Sequence, residues 1–136
     1  FREKLRIKRD LDPSLFEYQV PVLTLQPLIE NAIKHGVQPK VGTGTVEIKA
    51  RLINGEMLFI ISDDGVGISS DRMPKVILPG FGSGNGVGLS NVHERLKSLF
   101  GEDYGLRIMS EVNKGTSVYV RIPIKKASWQ KEVAAQ

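Results

Sequence analysis

Three stretches of the chain carry residue types whose spacing suits chemistry. The first is Pro27-Leu28-Ile29-Glu30-Asn31-Ala32-Ile33-Lys34-His35, the second Asp63-Asp64-Gly65-Val66-Gly67, and the third Gly84-Asn85-Gly86-Val87-Gly88-Leu89. On a helix, Pro27, Asn31 and Lys34 share one face, with Glu30 and His35 beside it. An Asn amide oxygen is a hard ligand suited to Mg²⁺, an ion that takes one or two protein ligands and completes its octahedron with phosphates and water. A Lys beside it meets phosphate as a point charge. A carboxylate such as Asp63 accepts a hydrogen bond from an exocyclic amine like that of adenine. Gly65 and Gly67 allow a tight turn and the close approach of a flat base. Glycines at 84, 86 and 88 run into a helix start, where free backbone N–H groups suit phosphate. Each stretch also has a plainer reading: a solvated helix face, a strand-ending turn and a flexible linker. Together and in this order they suit a magnesium nucleotide.

Other chemistries fit less well. A dinucleotide fold puts its Gly-x-Gly turn after its first strand, whereas these glycines come late. A Walker loop needs Gly-Lys-Ser/Thr at the helix entry, but Gly88 is followed by Leu89-Ser90. Asp63 and Asp64 are adjacent in one turn rather than facing each other, unlike a glycosidase pair. Ser83, Ser90, His35 and His93 show no triad order, and His93, mid-helix beside Val92, reads as structural or surface. The chain has no Cys, which removes thiolate metal sites and a Cys nucleophile. A net charge of +4 is compatible with an anionic ligand but too small and scattered for nucleic acid. With aromatic residues at 7%, a base-stacking platform is not expected either. No apolar run reaches the roughly 18 residues that cross a bilayer. The 136 residues fit one domain with a real core, and a chain opening on Phe1 reads as a piece of a longer protein.

The elements that must position these residues can be read from periodicity. Leu5 to Lys8 alternates as a short strand, with a turn near Asp12-Pro13 and a second extended piece at Leu15 to Val20. From Val22 to His35 the apolar residues at 25, 28, 29, 32 and 33 form a helical stripe, with Gly36 as its stop. Pro27 is tolerated if that helix starts near Thr24 and kinks it otherwise. Thr45 to Ile53 alternates as a strand, Asn54-Gly55 is a hairpin turn, and the continuous run Met57 to Ile61 predicts a central strand covered on both faces. Residues 69–84 read as a loop with one short helix at Asp71 to Ile77. A second helix runs from Leu89 to Phe100, with Leu89, Val92, Leu96 and Leu99 on one stripe and Gly101 ending it. Strands from Gly105 to Val112 and Thr116 to Ile124 close the domain around Asn113-Lys114-Gly115. The pattern predicts an α/β two-layer sandwich, a mixed and mostly antiparallel sheet with helices on one face, over residues 1–124 with a polar tail at 125–136.

With these residues in hand, the chain resembles the ATP-binding domain of histidine kinases in the GHKL superfamily, which has the Bergerat-type fold. The three stretches resemble its N box, G1 box and G2 box. Leu25-Gln26-Pro27-Leu28-Ile29-Glu30-Asn31-Ala32-Ile33-Lys34-His35-Gly36 and Gly86-Val87-Gly88-Leu89-Ser90-Asn91-Val92-His93-Glu94-Arg95-Leu96 are similar to the LytS-like sensor kinases. The resemblance covers residues 5 to 124. It implies that Asn31 holds Mg²⁺ and that Lys34 and His35 contact phosphate. Asp63 would bind the adenine amine, with Gly65 and Gly67 shaping the base pocket and Thr116 supporting Asp63. Residues 69–85 would form an ATP lid. Gly84, Gly86 and Gly88, with Leu89 opening the helix, would wrap the phosphates.

It further implies a kinase that passes the γ-phosphoryl group of ATP to a His on a dimerisation domain absent from this chain, and then to a response regulator. Residues 1–4 would be a remnant of the preceding dimerisation helix. The parent is expected to be dimeric and anchored in the bacterial inner membrane, with this domain in the cytoplasm. Two departures stand out. In the hydrolysing relatives a Glu one helical turn before the Asn activates water, and here that position is Pro27. Little autonomous hydrolysis is expected, and Glu30 is the carboxylate available as a base. Neither His35 nor His93 occupies the place of a phospho-acceptor. A free-standing GHKL Ser kinase of the anti-sigma type and a non-catalytic nucleotide-sensing module are the alternative readings.

Overall fold

The computed structural model describes residues 5–13, 22–77 and 89–123. Its strands are β1 (Leu5–Leu11), β2 (Gly44–Ile53), β3 (Glu56–Asp63), β4 (Arg107–Glu111) and β5 (Gly115–Pro123). Its helices are α1 (Val22–Asn31), continued by a π-helical segment (Ala32–Val37), and α2 (Leu89–Phe100), with 3₁₀ turns at Met73–Lys75 and Glu102–Tyr104. The strands form one sheet in the order β1-β2-β3-β5-β4. β1 pairs with β2 in parallel, and the other three pairings are antiparallel. The mixed, mostly antiparallel sheet expected from the sequence is therefore present.

The core lies between one sheet face and the two helices. Val46, Ile48 and Ala50 of β2, Met57, Phe59 and Ile61 of β3, and Val118, Val120 and Ile122 of β5 are buried in alternation. The register sets them in rows, such as Ala50 opposite Phe59 and Phe59 opposite Val120. Leu28 and Ala32 come down from α1 and its extension, and Leu89, Val92 and Leu96 from α2. Full burial of such aliphatic side chains contributes about 1.5–3 kcal/mol each, so the sheet and both helices depend on this one layer. β3 is central, as its apolar run predicts, but it is not covered equally on both faces. Leu58, Ile60 and Ser62 are only half-buried. Ile60 is flanked in register by Lys49 and Tyr119, whose long side chains can shield an apolar neighbour without a second helical layer.

The local signals acted as expected at several points. Asn54 and Gly55 both have positive φ, 51° and 77°, as a two-residue hairpin of the primed type requires. α2 spans the predicted residues, and Gly101, with φ 117°, ends it by donating its N–H to the Lys97 carbonyl at 2.9 Å. The short helix predicted at 71–77 shrinks to the 3₁₀ turn Met73–Lys75. The predicted strands at 105–112 and 116–124 are observed as Arg107–Glu111 and Gly115–Pro123. The extended piece at 15–20, residues 1–4, the rest of the loop beyond 77 and the tail at 125–136 lie outside the described residues.

The first helix decides one open alternative and corrects one expectation. It starts at Val22, so Pro27 sits in its interior and has no N–H to give the carbonyl four residues back. It does not stop at Gly36, because the backbone widens into the π-helical segment and the Gln38 N–H reaches the Ile33 carbonyl at 2.8 Å. Short π-helical insertions of this kind re-aim the side chains that follow them.

Candidate functional site

The helix face behaves as its spacing predicts. Pro27, Glu30, Asn31, Lys34 and His35, joined by Ile33 and Gln38, line one open cleft of about 400 Å³. Asn31 is half-buried, and Glu30, Lys34 and His35 are exposed. Gln26 Nε2 donates to Glu30 Oε2 at 3.3 Å, a contact four residues apart along the helix. Among the described residues no cluster of three or more His, Asp or Glu side chains forms a metal cage. The half-buried Asn31 amide in this cleft is the kind of hard oxygen donor that suits an ion such as Mg²⁺, whose remaining ligands are phosphate and water.

The second stretch is built by backbone contact. Asp63 ends β3 and is paired in register with Thr116 of β5. Its Oδ1 accepts the Gly65 N–H at 2.8 Å. Burial is the largest influence on its carboxyl group and pushes the pKa above the usual Asp value. The backbone N–H groups of Gly65 and Thr116 pull the other way, Asp64 adds to the rise and Lys40 opposes it. Thr116 is itself buried. Asp64 plays a different part: it accepts the Thr45 N–H at 2.8 Å, donates its own N–H to the Thr45 carbonyl at 3.2 Å and pairs with Lys40 at 3.3 Å. It ties the turn to β2 and leaves Asp63 as the available carboxylate.

The two halves meet at Gly36, which the sequence marked only as a helix stop. A Cβ there would lie 2.6 Å from the Asp63 carboxyl carbon, closer than real Cβ contacts allow. A Cβ on Gly65 would collide with the Gly36 carbonyl, and that same carbonyl accepts the Val66 N–H at 3.0 Å. Helix end and turn are thus packed backbone to backbone, and glycine is required at both positions. Lacking a long-range pairing signal, the sequence showed Gly36 only through its helix-ending tendency.

A further residue was missed altogether. Ser110 of β4 accepts the Ile68 N–H at 2.8 Å, donates to the Gly115 carbonyl at 2.9 Å and shares a 2.8 Å hydrogen bond with Thr116 Oγ1. Asn113 donates its N–H to the Val66 carbonyl at 2.8 Å. The β4–β5 hairpin is therefore sewn along the Asp63–Gly67 turn. Nothing local in Met109-Ser110-Glu111 announces this. His93, expected to be structural or surface, is structural: its Nδ1 accepts the Leu106 N–H at 2.9 Å.

The Leu89 side chain is buried in the core with Val92 and Leu96, which leaves the backbone N–H of the helix start for the expected phosphate contact. Gly84, Gly86 and Gly88 lie outside the described residues.

Comparison with known proteins agrees with this architecture. The family described as "Histidine kinase-, DNA gyrase B-, and HSP90-like ATPase" matches residues 20–126, and the chain belongs to it. It is 38% identical over 125 residues to the sensor histidine kinase YesM of Bacillus subtilis, covering 92% of this chain and 21% of that protein. It is 33% identical to the sensor protein LytS of Bacillus subtilis, covering 92% of this chain and 21% of LytS. The sensor histidine kinase BtsS of Escherichia coli is 32% identical, covering 90% of this chain and 20% of BtsS. The chain thus spans about a fifth of the length of these curated relatives. Among solved structures, the histidine kinase domain of the Erythrobacter litoralis EL346 blue-light activated kinase superimposes with a TM-score of 0.64 at 20% identity, covering 98% of this chain and 56% of that one. The catalytic domain of the histidine kinase ThkA gives 0.65 at 17% identity, covering 90% and 80%. At these identities the structures speak for the fold.

Proposed function

We propose that this chain is the ATP-binding catalytic domain of a two-component sensor histidine kinase of the LytS-like group. The observation that carries the reading is the junction at Gly36, which sets the half-buried Asp63 carboxylate against the end of the helical segment that carries Asn31 and Lys34. Asp63 accepts from the adenine amine, with Gly65 and Gly67 shaping the base pocket and Thr116 standing across the register from Asp63. Asn31 supplies the metal ligand. Lys34 and His35 face the phosphates from the exposed rim, with the backbone at Gly84, Gly86, Gly88 and Leu89 completing the wrap.

Mg²⁺, when bound, neutralises charge on the phosphate oxygens. The residues of the chain do the rest by orientation and fixed charge, the main resources of phosphoryl transfer. Pro27 carries no base for activating water, so the isolated domain hydrolyses ATP slowly. Glu30, beside Asn31 in the same cleft, is the carboxylate assigned to take the proton of the phospho-accepting His. That His belongs to a dimerisation domain of the parent, which is dimeric and anchored in the bacterial inner membrane with this domain on the cytoplasmic side. A response regulator then receives the phosphoryl group.

The test is to mix the 136-residue chain with the separately produced dimerisation domain and γ-labelled ATP. Acid-labile, base-stable label on a His of that domain is the expected result. ATP binding without any labelling would favour a nucleotide-sensing module instead, and label on a Ser would favour the anti-sigma type of kinase.

A further inference from the structure

The Ser110 hydroxyl sits among three partners, and they fix where the protons lie. The Ile68 N–H can only donate to it, and the Gly115 carbonyl can only accept from it. Ser110 has one proton. If that proton goes to Gly115, the Ser110–Thr116 hydrogen bond of 2.8 Å is made only when Thr116 is the donor. This is the one arrangement that satisfies all three contacts, each made at 2.8–2.9 Å in a part-buried site where leaving a polar group unpaired carries a cost. The Thr116 hydroxyl is then committed to Ser110 and keeps only its lone pairs for anything else. Asp63, paired with Thr116 in register and on the same face of the sheet, is also an acceptor when ionised.

We propose that Ser110 is a positioning residue for purine choice: by holding the Thr116 proton, it makes the floor of the base pocket acceptor-only and so selects the amine of adenine over the carbonyl oxygen that guanine carries at the same ring position. This rests on the reading of Asp63 and Thr116 as the base-binding pair. Ser110 need not touch the nucleotide. It acts through Thr116, and without it the Thr116 hydroxyl is free to rotate and donate to a carbonyl oxygen. A site with polar groups fixed in one sense discriminates between hydrogen-bonding patterns far better than one whose groups can turn.

The experiment is calorimetric titration of the 136-residue chain and its Ser110 variants with ATP and with GTP, both with Mg²⁺. In Ser110→Ala the preference for ATP over GTP falls about tenfold, the worth of one net hydrogen bond. In Ser110→Thr, which keeps the hydroxyl, the preference stays within about twofold of the parent. Ser110 also ties the 65–68 turn to the hairpin, and a purely structural role would weaken both nucleotides alike and leave the ratio unchanged. That result overturns the proposal, as does failure of Ser110→Thr to restore the ratio. Should Ser110→Ala not fold, Ser110→Cys takes its place, because a thiol is too weak an acceptor to hold the Thr116 proton. An unchanged ratio in Ser110→Cys also overturns the proposal. Asp63→Asn separates the two levels. If it abolishes the preference for ATP while Ser110→Ala does not change it, the base pocket stands and the Ser110 role fails. If the parent itself shows no preference, both fail.

Discussion

The phosphate half and the base half that we propose for the site are built by opposite means. The phosphate half is a row of side chains on one face of α1 and the π-helical segment, with Glu30, Lys34 and His35 exposed and Pro27 and Asn31 half-buried. The base half is mostly backbone: a glycine against a carbonyl, a carboxylate against a glycine, and a hairpin laid along a turn. In the first half side chains can change with little effect on the fold. In the second the fold and the site are made by the same contacts. Binding and stability should therefore separate in the one and move together in the other, except at Asp63, where they oppose.

The largest effect is expected where backbone meets backbone. Gly65→Ala drives a methyl group into the Gly36 carbonyl and is expected to destabilise the domain by about 3 kcal/mol or more, at the upper end for overpacking. Denaturant unfolding checks this, and a loss below about 0.5 kcal/mol would break the comparison between the halves.

Next is Asp63→Asn. Loss of a charge-assisted acceptor is expected to weaken ATP binding about a hundredfold. Burial raises the Asp63 pKa above its unfolded value, so at neutral pH the ionised side chain costs the fold stability, and the neutral Asn relieves that cost. The apo variant should melt at or above the parent's temperature, and a lower melting point would contradict this account of Asp63. The pH dependence carries the same sign. Because the folded state holds this proton more tightly than the unfolded chain, the Asp63 contribution to stability rises as pH falls through the raised pKa. ATP affinity falls over the same range, since the protonated carboxyl no longer acts as a pure acceptor. Comparing parent with Asp63→Asn across an acid titration isolates the effect.

Changes in the phosphate half should be smaller and leave the melting temperature alone. Asn31→Ala is expected to remove the Mg²⁺-dependent part of ATP affinity, about tenfold, with Mg²⁺-free binding nearly unchanged. Equal losses in both conditions would argue against a metal role. Lys34→Ala is expected to cost only a few-fold at physiological salt, with a shallower salt dependence of ATP affinity, as for an exposed point charge.

The same contrast explains what the sequence revealed. α2 was legible because most of its apolar stripe and its glycine stop agree with its burial, although Phe100 rather than Leu99 packs against the core. The β2–β3 hairpin was legible because Asn54-Gly55 demands one turn geometry. The helix face of the phosphate half followed from spacing alone, since residues four apart must meet. Gly36 was misread because its local tendency, to end a helix, is overridden by contact with a turn about thirty residues on. Ser110 gave no signal because one partner comes from the distant turn at Ile68 and the other two, Gly115 and Thr116, lie across its own hairpin. The apolar run of β3 suggested cover on both faces, but a long neighbouring side chain can stand in for a helix.

The central claim is that the two halves form one nucleotide site, and titration of the 136-residue chain with ATP, with and without Mg²⁺ and against GTP, tests it most directly. The account predicts one binding event that Mg²⁺ strengthens and that prefers ATP to GTP, because Asn31 and Asp63 then report on the same ligand. Binding indifferent both to Mg²⁺ and to the base, or no binding at all, would contradict it.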